Sequence, residues 1–158
     1  MRSIFSFSND SFENLDDSYI FIGKINSFNN ILQSKADQFF DEISWKQVFI
    51  LGCISLHHEP PTIRDLANLA GSTHQNVTQI LSKLEKNNFI SFQTDEFDRR
   101  KQRVILTEKA RDFLKNQNDA VDILMKQIFS NIDSSELKTA LRVISQLTEN
   151  VSSFEKKF

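Results

Sequence analysis

Apolar positions along the chain recur first with a helical period, then briefly with the alternation of strands, then with a helical period again. Phe21, Ile25, Phe28, Leu32, Ala36, Phe39 and Ile43 are spaced by fours and threes, which predicts one long amphipathic helix from about Asp17 to Asp41. Ser44 with Gln47 forms a capping pair for a second helix, filled by Trp45, Val48, Phe49, Leu51, Cys53 and Leu56. Pro60 and Pro61 stop it, since proline removes a donor and crowds the preceding turn. Thr62 with Asp65 starts a third helix whose stripe is Ile63, Leu66, Ala67 and Ala70, and Gly71 ends it. Ser72 with Gln75 starts a fourth, running from Ser72 to Lys86 with Val77, Ile80, Leu81 and Leu84 inward. Phe89–Thr94 and Arg103–Leu106, rich in β-branched and aromatic residues, then bracket a charged loop and predict a hairpin. Thr107 caps a fifth helix carrying Ala110, Leu114, Val121, Leu124 and Ile128, and Asp133 with Glu136 opens a sixth. The fold class expected is mainly α with a small β-wing.

The third and fourth helices are the informative pair. Ala67, Gly71, Val77 and Ile80 stand four, ten and thirteen residues from the first of them, the pattern of two helices crossing closely around a tight turn. This is helix-turn-helix spacing. Docking the fourth helix by its aliphatic face turns Thr73, His74, Gln75, Asn76, Gln79, Ser82 and Lys83 outward. Such a face both donates and accepts hydrogen bonds, as reading base edges requires. Thr73, His74, Gln75, Asn76 and Gln79 are the candidate base-reading residues. Gln and Asn suit bidentate contact with adenine, and the helix lacks an Arg to prefer guanine, so an A·T-rich target is expected.

Charge sharpens this picture only when read locally. The chain carries a formal charge of −2, which by itself does not suggest a nucleic-acid partner. Between Thr62 and Lys109, however, eight basic side chains face six acidic ones, leaving the rest of the chain at −4. The hairpin loop holds Arg99, Arg100 and Lys101, with Arg103 just after it. A basic tip one hairpin away from a base-reading helix is placed to reach phosphates or an adjacent minor groove. Ser72, Ser82, Lys83, Arg99 and Arg103 are the candidate phosphate contacts.

The same segment resembles the winged helix of the MarR family of transcriptional regulators. The matching residues are Leu66-Ala67, Leu84-Glu85-Lys86, Phe89-Ile90, Asp98-Arg99-Arg100 at the wing tip and Leu106-Thr107-Glu108-Lys109 beyond it. The Asp-Arg-Arg wing followed by Leu-Thr-Glu-Lys is the specific part, and the likeness runs from about Ile43 to Lys115. Two departures stand out: Lys86-Asn87-Asn88 where the family has a Gly before the wing, and Ala110 where it has Gly. Asn tolerates the left-handed conformation, so the turn is expected to survive.

The resemblance implies a homodimer on double-stranded DNA, with a recognition helix from each copy in successive major grooves of a pseudo-palindromic operator. It implies that Arg100 enters the minor groove while Asp98 braces the wing through a local ion pair. It also implies a small aromatic or phenolic effector bound where dimerisation helices meet the winged helix. Tyr19, Phe28, Phe39, Trp45 and Phe49 are the candidates there. The expected organisation is a flexible tail over residues 1–16 and a single domain over 17–158. Within it a DNA-binding core, 44–107, is flanked by dimerisation helices 17–43 and 108–158. The function expected is a transcriptional regulator, a repressor by analogy. The competing reading is a winged helix that docks a protein and never touches DNA.

Other chemistries find little footing. No nucleophile elbow, phosphate loop, dinucleotide fingerprint or spaced carboxylate pair points to an enzyme, and no cofactor is expected. Cys53, the one cysteine, lies in an apolar run and is expected to be a core residue, not a redox sensor. His57, His58 and His74 lack the spacing of a metal site. No run of about 18 apolar residues is present and the N-terminus lacks the apolar stretch of a signal peptide, so a soluble cytoplasmic protein is expected.

Overall fold

The computed structural model describes residues 15–154. Most of the tail expected over residues 1–16 lies outside them; Asp16, its last residue, caps the first helix by accepting the Ser18 N–H at 2.8 Å. Six helices and one hairpin follow: α1 (Asp17–Ala36), α2 (Trp45–Ser55), α3 (Ile63–Leu69), α4 (His74–Lys86), β1 (Ile90–Thr94), β2 (Gln102–Leu106), α5 (Glu108–Ile128) and α6 (Ser134–Ser152). The chain divides within α5 into two compact units, one ending at Asn118 and one beginning at Asp119.

In the first unit α2 is the centre. Gln47, Val48, Ile50, Leu51, Cys53 and Ile54 are buried nearly all round it, as a helix packed on several sides requires. It packs against α1, α3, α4 and β2. Around it Leu66 of α3, Val77, Leu81 and Leu84 of α4, then Phe89 and Val104, are fully enclosed. Each of these side chains contributes about 1.5–3 kcal/mol by leaving water. The Phe89 ring stands edge-on to Phe113 of α5 at 5.3 Å, and the Lys109 ammonium lies 4.3 Å from the Phe89 ring centre.

The caps behave as read from the sequence at Ser44/Gln47, Thr62/Asp65 and Asp133/Glu136, where each pair satisfies two orphan N–H groups reciprocally. Gly71 has φ +58 and Asn88 φ +60, so the asparagine does take the left-handed turn before the wing. Two expectations need correction. Helix α4 is capped by Thr73, not Ser72, because it is the Thr73 hydroxyl that accepts the Asn76 N–H at 3.2 Å. Helix α1 stops at Ala36 instead of reaching Asp41. A 3-10 turn over Asp37–Phe39 follows it, and the Asp37 carboxylate accepts the Trp45 N–H at 2.6 Å. Leaving the helix there turns Phe40 and Ile43 inward, so Phe40 stacks near Trp45 and Phe39 remains exposed.

The hairpin pairs Ile90 with Leu106 through Thr94 with Gln102. The two prolines do more than end α2. Val104 N–H donates to the Pro61 carbonyl at 2.8 Å and Thr62 bridges Arg103, so the α2–α3 linker lies alongside β2 as a short third edge. Proline suits an edge, since it has a carbonyl to offer but no N–H to leave unpaired.

The second unit holds the end of α5 and all of α6, separated by a turn in which Asn131 has φ +62. Along α6 Leu141, Ile144 and Val151 are exposed, and along α1 so are Tyr19, Ile20, Phe21, Ile22, Phe28 and Ile31. Among the described residues no helix is long and apolar enough to cross a membrane.

Candidate nucleic-acid interface

Helix α4 presents the face that its periodicity predicted. Thr73, His74, Gln75, Asn76, Gln79, Ser82 and Lys83 are all exposed, while Val77, Leu81 and Leu84 anchor the opposite side. The outward residues fall into two groups. At the helix start, Asn76 donates through Nδ2 to the Ser72 hydroxyl at 2.8 Å, and Thr73 caps. These contacts fix the first turn and orient the Asn76 amide. Ser82 turns its hydroxyl back to the Thr78 carbonyl at 2.9 Å. Among the described residues no hydrogen bond holds the side chains of Gln75, Gln79 or Lys83, which leaves them available to an incoming ligand.

The wing tip is built on two aspartates. Asp95, 5% exposed, accepts the backbone N–H groups of Phe97 at 3.0 Å and Asp98 at 2.7 Å on one oxygen, and the Arg103 guanidinium on the other. Asp98 accepts the backbone N–H of Arg100 at 3.1 Å and its Nε at 3.2 Å, with Lys101 at 3.6 Å. Two backbone bonds close the loop, Asp95 N–H to the Lys101 carbonyl at 3.0 Å and Lys101 N–H to the Asp98 carbonyl at 2.8 Å. The Asp98 N–H and the Arg103 guanidinium hold the Asp95 carboxyl below its usual range, and the Arg100 backbone and side chain do the same for Asp98.

These contacts sort the basic residues. Arg100 leans on Asp98 yet its side chain is 92% exposed, and Arg99 is exposed as well. Arg103, grouped from the sequence with the phosphate contacts, is turned inward. Beyond Asp95 it donates through Nη1 to the Pro60 carbonyl at 3.0 Å, tying the wing to the α2–α3 linker. The reason is register: Thr62 bridges Arg103 and the Val104 N–H bonds the Pro61 carbonyl, which brings Arg103 beside the linker. Sequence reasoning missed Asp95 as the keystone of the loop. The usable signal was an Asp opening a turn, a residue type that bonds its own backbone two and three positions on.

The aromatic candidates do not converge. Tyr19, Phe28 and Phe49 are exposed, and Trp45 packs on Phe40. Phe39 alone of the five lines a cleft of about 370 Å³, together with Asp41, Glu42, Lys109, Asp112 and Phe113. Lys109 on its wall pairs with Glu42 at 2.8 Å. Cys53 is buried and burial pushes its thiol up, the opposite of an activated cysteine. Among the described residues no cluster of three metal-ligating side chains occurs.

A helix-turn-helix followed by a braced, basic-tipped hairpin defines a winged helix. Residues 43–101 match the model of the MarR family. Solved structures agree in fold. A MarR/EmrR family transcriptional regulator from Acinetobacter sp. ADP1 is similar with a TM-score of 0.78 at 17% identity, covering 89% of this chain and 100% of that one. MepR of S. aureus, solved as a DNA complex, gives 0.75 at 20% identity over 87% and 99%. The organohalide-sensing regulator RdhR-CbdbA1625, in its 2,4-dichlorophenol-bound form, gives 0.75 at 19% identity over 95% and 89%.

Proposed function

We propose that this chain is a sequence-specific, DNA-binding transcription regulator and not an enzyme. It acts as a homodimer on a pseudo-palindromic operator whose half-sites lie about one helical turn apart. The observation that carries this reading is the juxtaposition in one fold of a polar face on α4, where Gln75, Gln79 and Lys83 make no side-chain hydrogen bond among the described residues, and a pre-ordered basic wing. Each alone is ordinary on a protein surface; together they match the two grooves of a duplex. In this reading α4 enters the major groove with Gln75, Asn76 and Gln79 against base edges. Arg100 enters the minor groove, and Lys83 and Arg99 contact phosphates. Arg103 positions the wing and does not itself touch DNA. The apolar residues exposed on α1, and those exposed on α6, are each covered by a second copy, and repression is the expected output.

A small aromatic effector is proposed for the cleft of Phe39 and Phe113. Its volume suits such a molecule and its walls are partly apolar, while the carboxylates of Asp41, Glu42 and Asp112 around the Glu42-paired Lys109 favour a neutral phenol over a phenolate. The effector would release DNA only by binding one dimer geometry better than the other. Selection of duplexes from a random pool by the purified protein tests the reading. Recovery of a two-fold symmetric, A·T-rich site supports it, and G·C pairs at the key positions contradict the assignment of glutamine and asparagine as the readers.

A further inference from the structure

At the wing tip Phe97 is used by neither base-reading nor phosphate contact. Phe97 is 95% exposed, the highest value among the large apolar side chains described. It sits in the tip of a loop whose other residues are charged, three positions before Arg100. A lone surface hydrophobe needs no explanation, but the backbone under this one is held in place. The buried Asp95 carboxylate takes the Phe97 N–H itself, and the Asp98 N–H beside it. Two backbone bonds close the loop around it, and the Arg103 strut fixes the whole tip to the α2–α3 linker. The backbone that carries the exposed Phe97 ring is thus fixed by a buried, multiply bonded carboxylate.

An exposed apolar ring carried on the same short loop as an exposed arginine has a use on a duplex. Proteins that enter the minor groove kink it by seating an apolar side chain against or between base pairs, while an adjacent cation meets the groove's negative potential. Resting on the DNA-binding reading above, we infer that Phe97 is an apolar wedge, entering the minor groove beside Arg100. The wedge makes the protein prefer easily unstacked pyrimidine–purine steps beneath the wing. This is specificity drawn from deformability and not from base edges, so it adds to what α4 reads. Phe97 carries no charge, so its contribution does not depend on counterion release, whereas that of Arg100 does.

The test uses the full-length protein and the duplex it selects from a random pool, with 2-aminopurine placed in turn at each step of the outer ends of the site. Anisotropy titrations at several salt concentrations compare wild type with Phe97→Ala, Phe97→Leu and Arg100→Ala. The expected result has three parts. Phe97→Ala weakens binding roughly tenfold, in keeping with the loss of one buried aromatic side chain, while leaving the slope of affinity against salt unchanged. It abolishes the 2-aminopurine brightening that wild type gives at one step, and it flattens the preference for pyrimidine–purine steps. Phe97→Leu keeps most of all three. If Phe97→Ala binds and brightens as wild type does, the wedge is wrong and the regulator stands. If wild type selects no duplex, the DNA-binding reading falls and takes the wedge with it.

Discussion

Arg103 and Asp95 face each other across the base of the wing, eight residues apart in sequence, and their ion pair ties the wing to the start of the helix-turn-helix. The carboxylate is nearly enclosed and its second oxygen is occupied by the loop backbone, while the guanidinium continues to the Pro60 carbonyl. Removing either partner leaves the other partly buried and unpaired. Arg103→Ala is therefore expected to lower the melting temperature and speed amide exchange in residues 95–104. Arg100→Ala, whose side chain is almost wholly in solvent, is expected to leave both unchanged. A scan showing the two variants equally stable would remove Arg103 from its bracing role.

On DNA the order of the two arginines differs in kind. Arg100→Ala is expected to weaken operator binding by about 1–3 kcal/mol with a shallower salt dependence. Arg103→Ala also weakens it, but its loss is recovered in part by Arg103→Lys, which keeps a donor to Asp95. Titrations of the three variants against one selected duplex check this.

Acid is expected to loosen the wing. Asp65, Asp95 and Asp98 are all held below the ordinary carboxylate range, each by hydrogen bonds to its charged form. A carboxyl depressed on folding adds stability that is fully present above its unfolded value, about 3.9. That stability is lost as pH falls through the lower folded value. The urea midpoint should thus hold from pH 7 down to about 5 and fall steeply below about 4. Asp95→Asn should start lower and fall less. A parallel fall in the two proteins would mean that Asp95 contributes none of it.

Base reading is expected to centre on the side chains that nothing in the chain restrains. Gln79→Ala and Gln75→Ala should each relax the preference at one position of the site, at about 1–3 kcal/mol against the wrong base. Asn76→Ala should in addition weaken the first turn of α4, because Asn76 holds Ser72. Repeating the duplex selection with each variant shows which position of the site relaxes.

Self-association should follow the exposed apolar rows. Leu141→Glu on α6 or Phe28→Glu on α1 replaces a half-exposed apolar side chain with a charge, at 60% and 52% exposure. Wild type should sediment as a dimer at micromolar concentration, and each variant as a folded monomer. Sedimentation equilibrium gives the answer, with wild-type monomers as the contrary outcome.

Much of this was readable from residue order alone. Helix caps and aliphatic stripes are local, so Ser44/Gln47, Thr62/Asp65 and Asp133/Glu136 announce helix starts, and Val77, Leu81 and Leu84 announce which side of α4 is exposed. The wing tip was legible as a charged loop between two strand-like runs. What could not be read was set by contacts distant in sequence. Arg103 looks like any wing arginine until β2 is laid beside Pro60, a carbonyl 43 residues away. Phe39 and Phe40 are indistinguishable by period once α1 is assumed to continue. Only the Asp37 bond to Trp45 shows that the helix has ended and which ring turns in. Ser72 and Thr73 both qualify as caps by type, and one residue of backbone geometry separates them.

If α4 and the wing together read DNA, the protein selects its duplex by sequence. Fluorescence anisotropy of the full-length protein on the duplex upstream of its own gene, over several salt concentrations and against a scrambled duplex, tests it most directly. The expected result is tight binding at one dimer per site that resists the scrambled competitor and falls steeply as salt rises. Binding that the scrambled duplex matches, or that barely responds to salt, would contradict it. It would instead make the same face a dock for a protein.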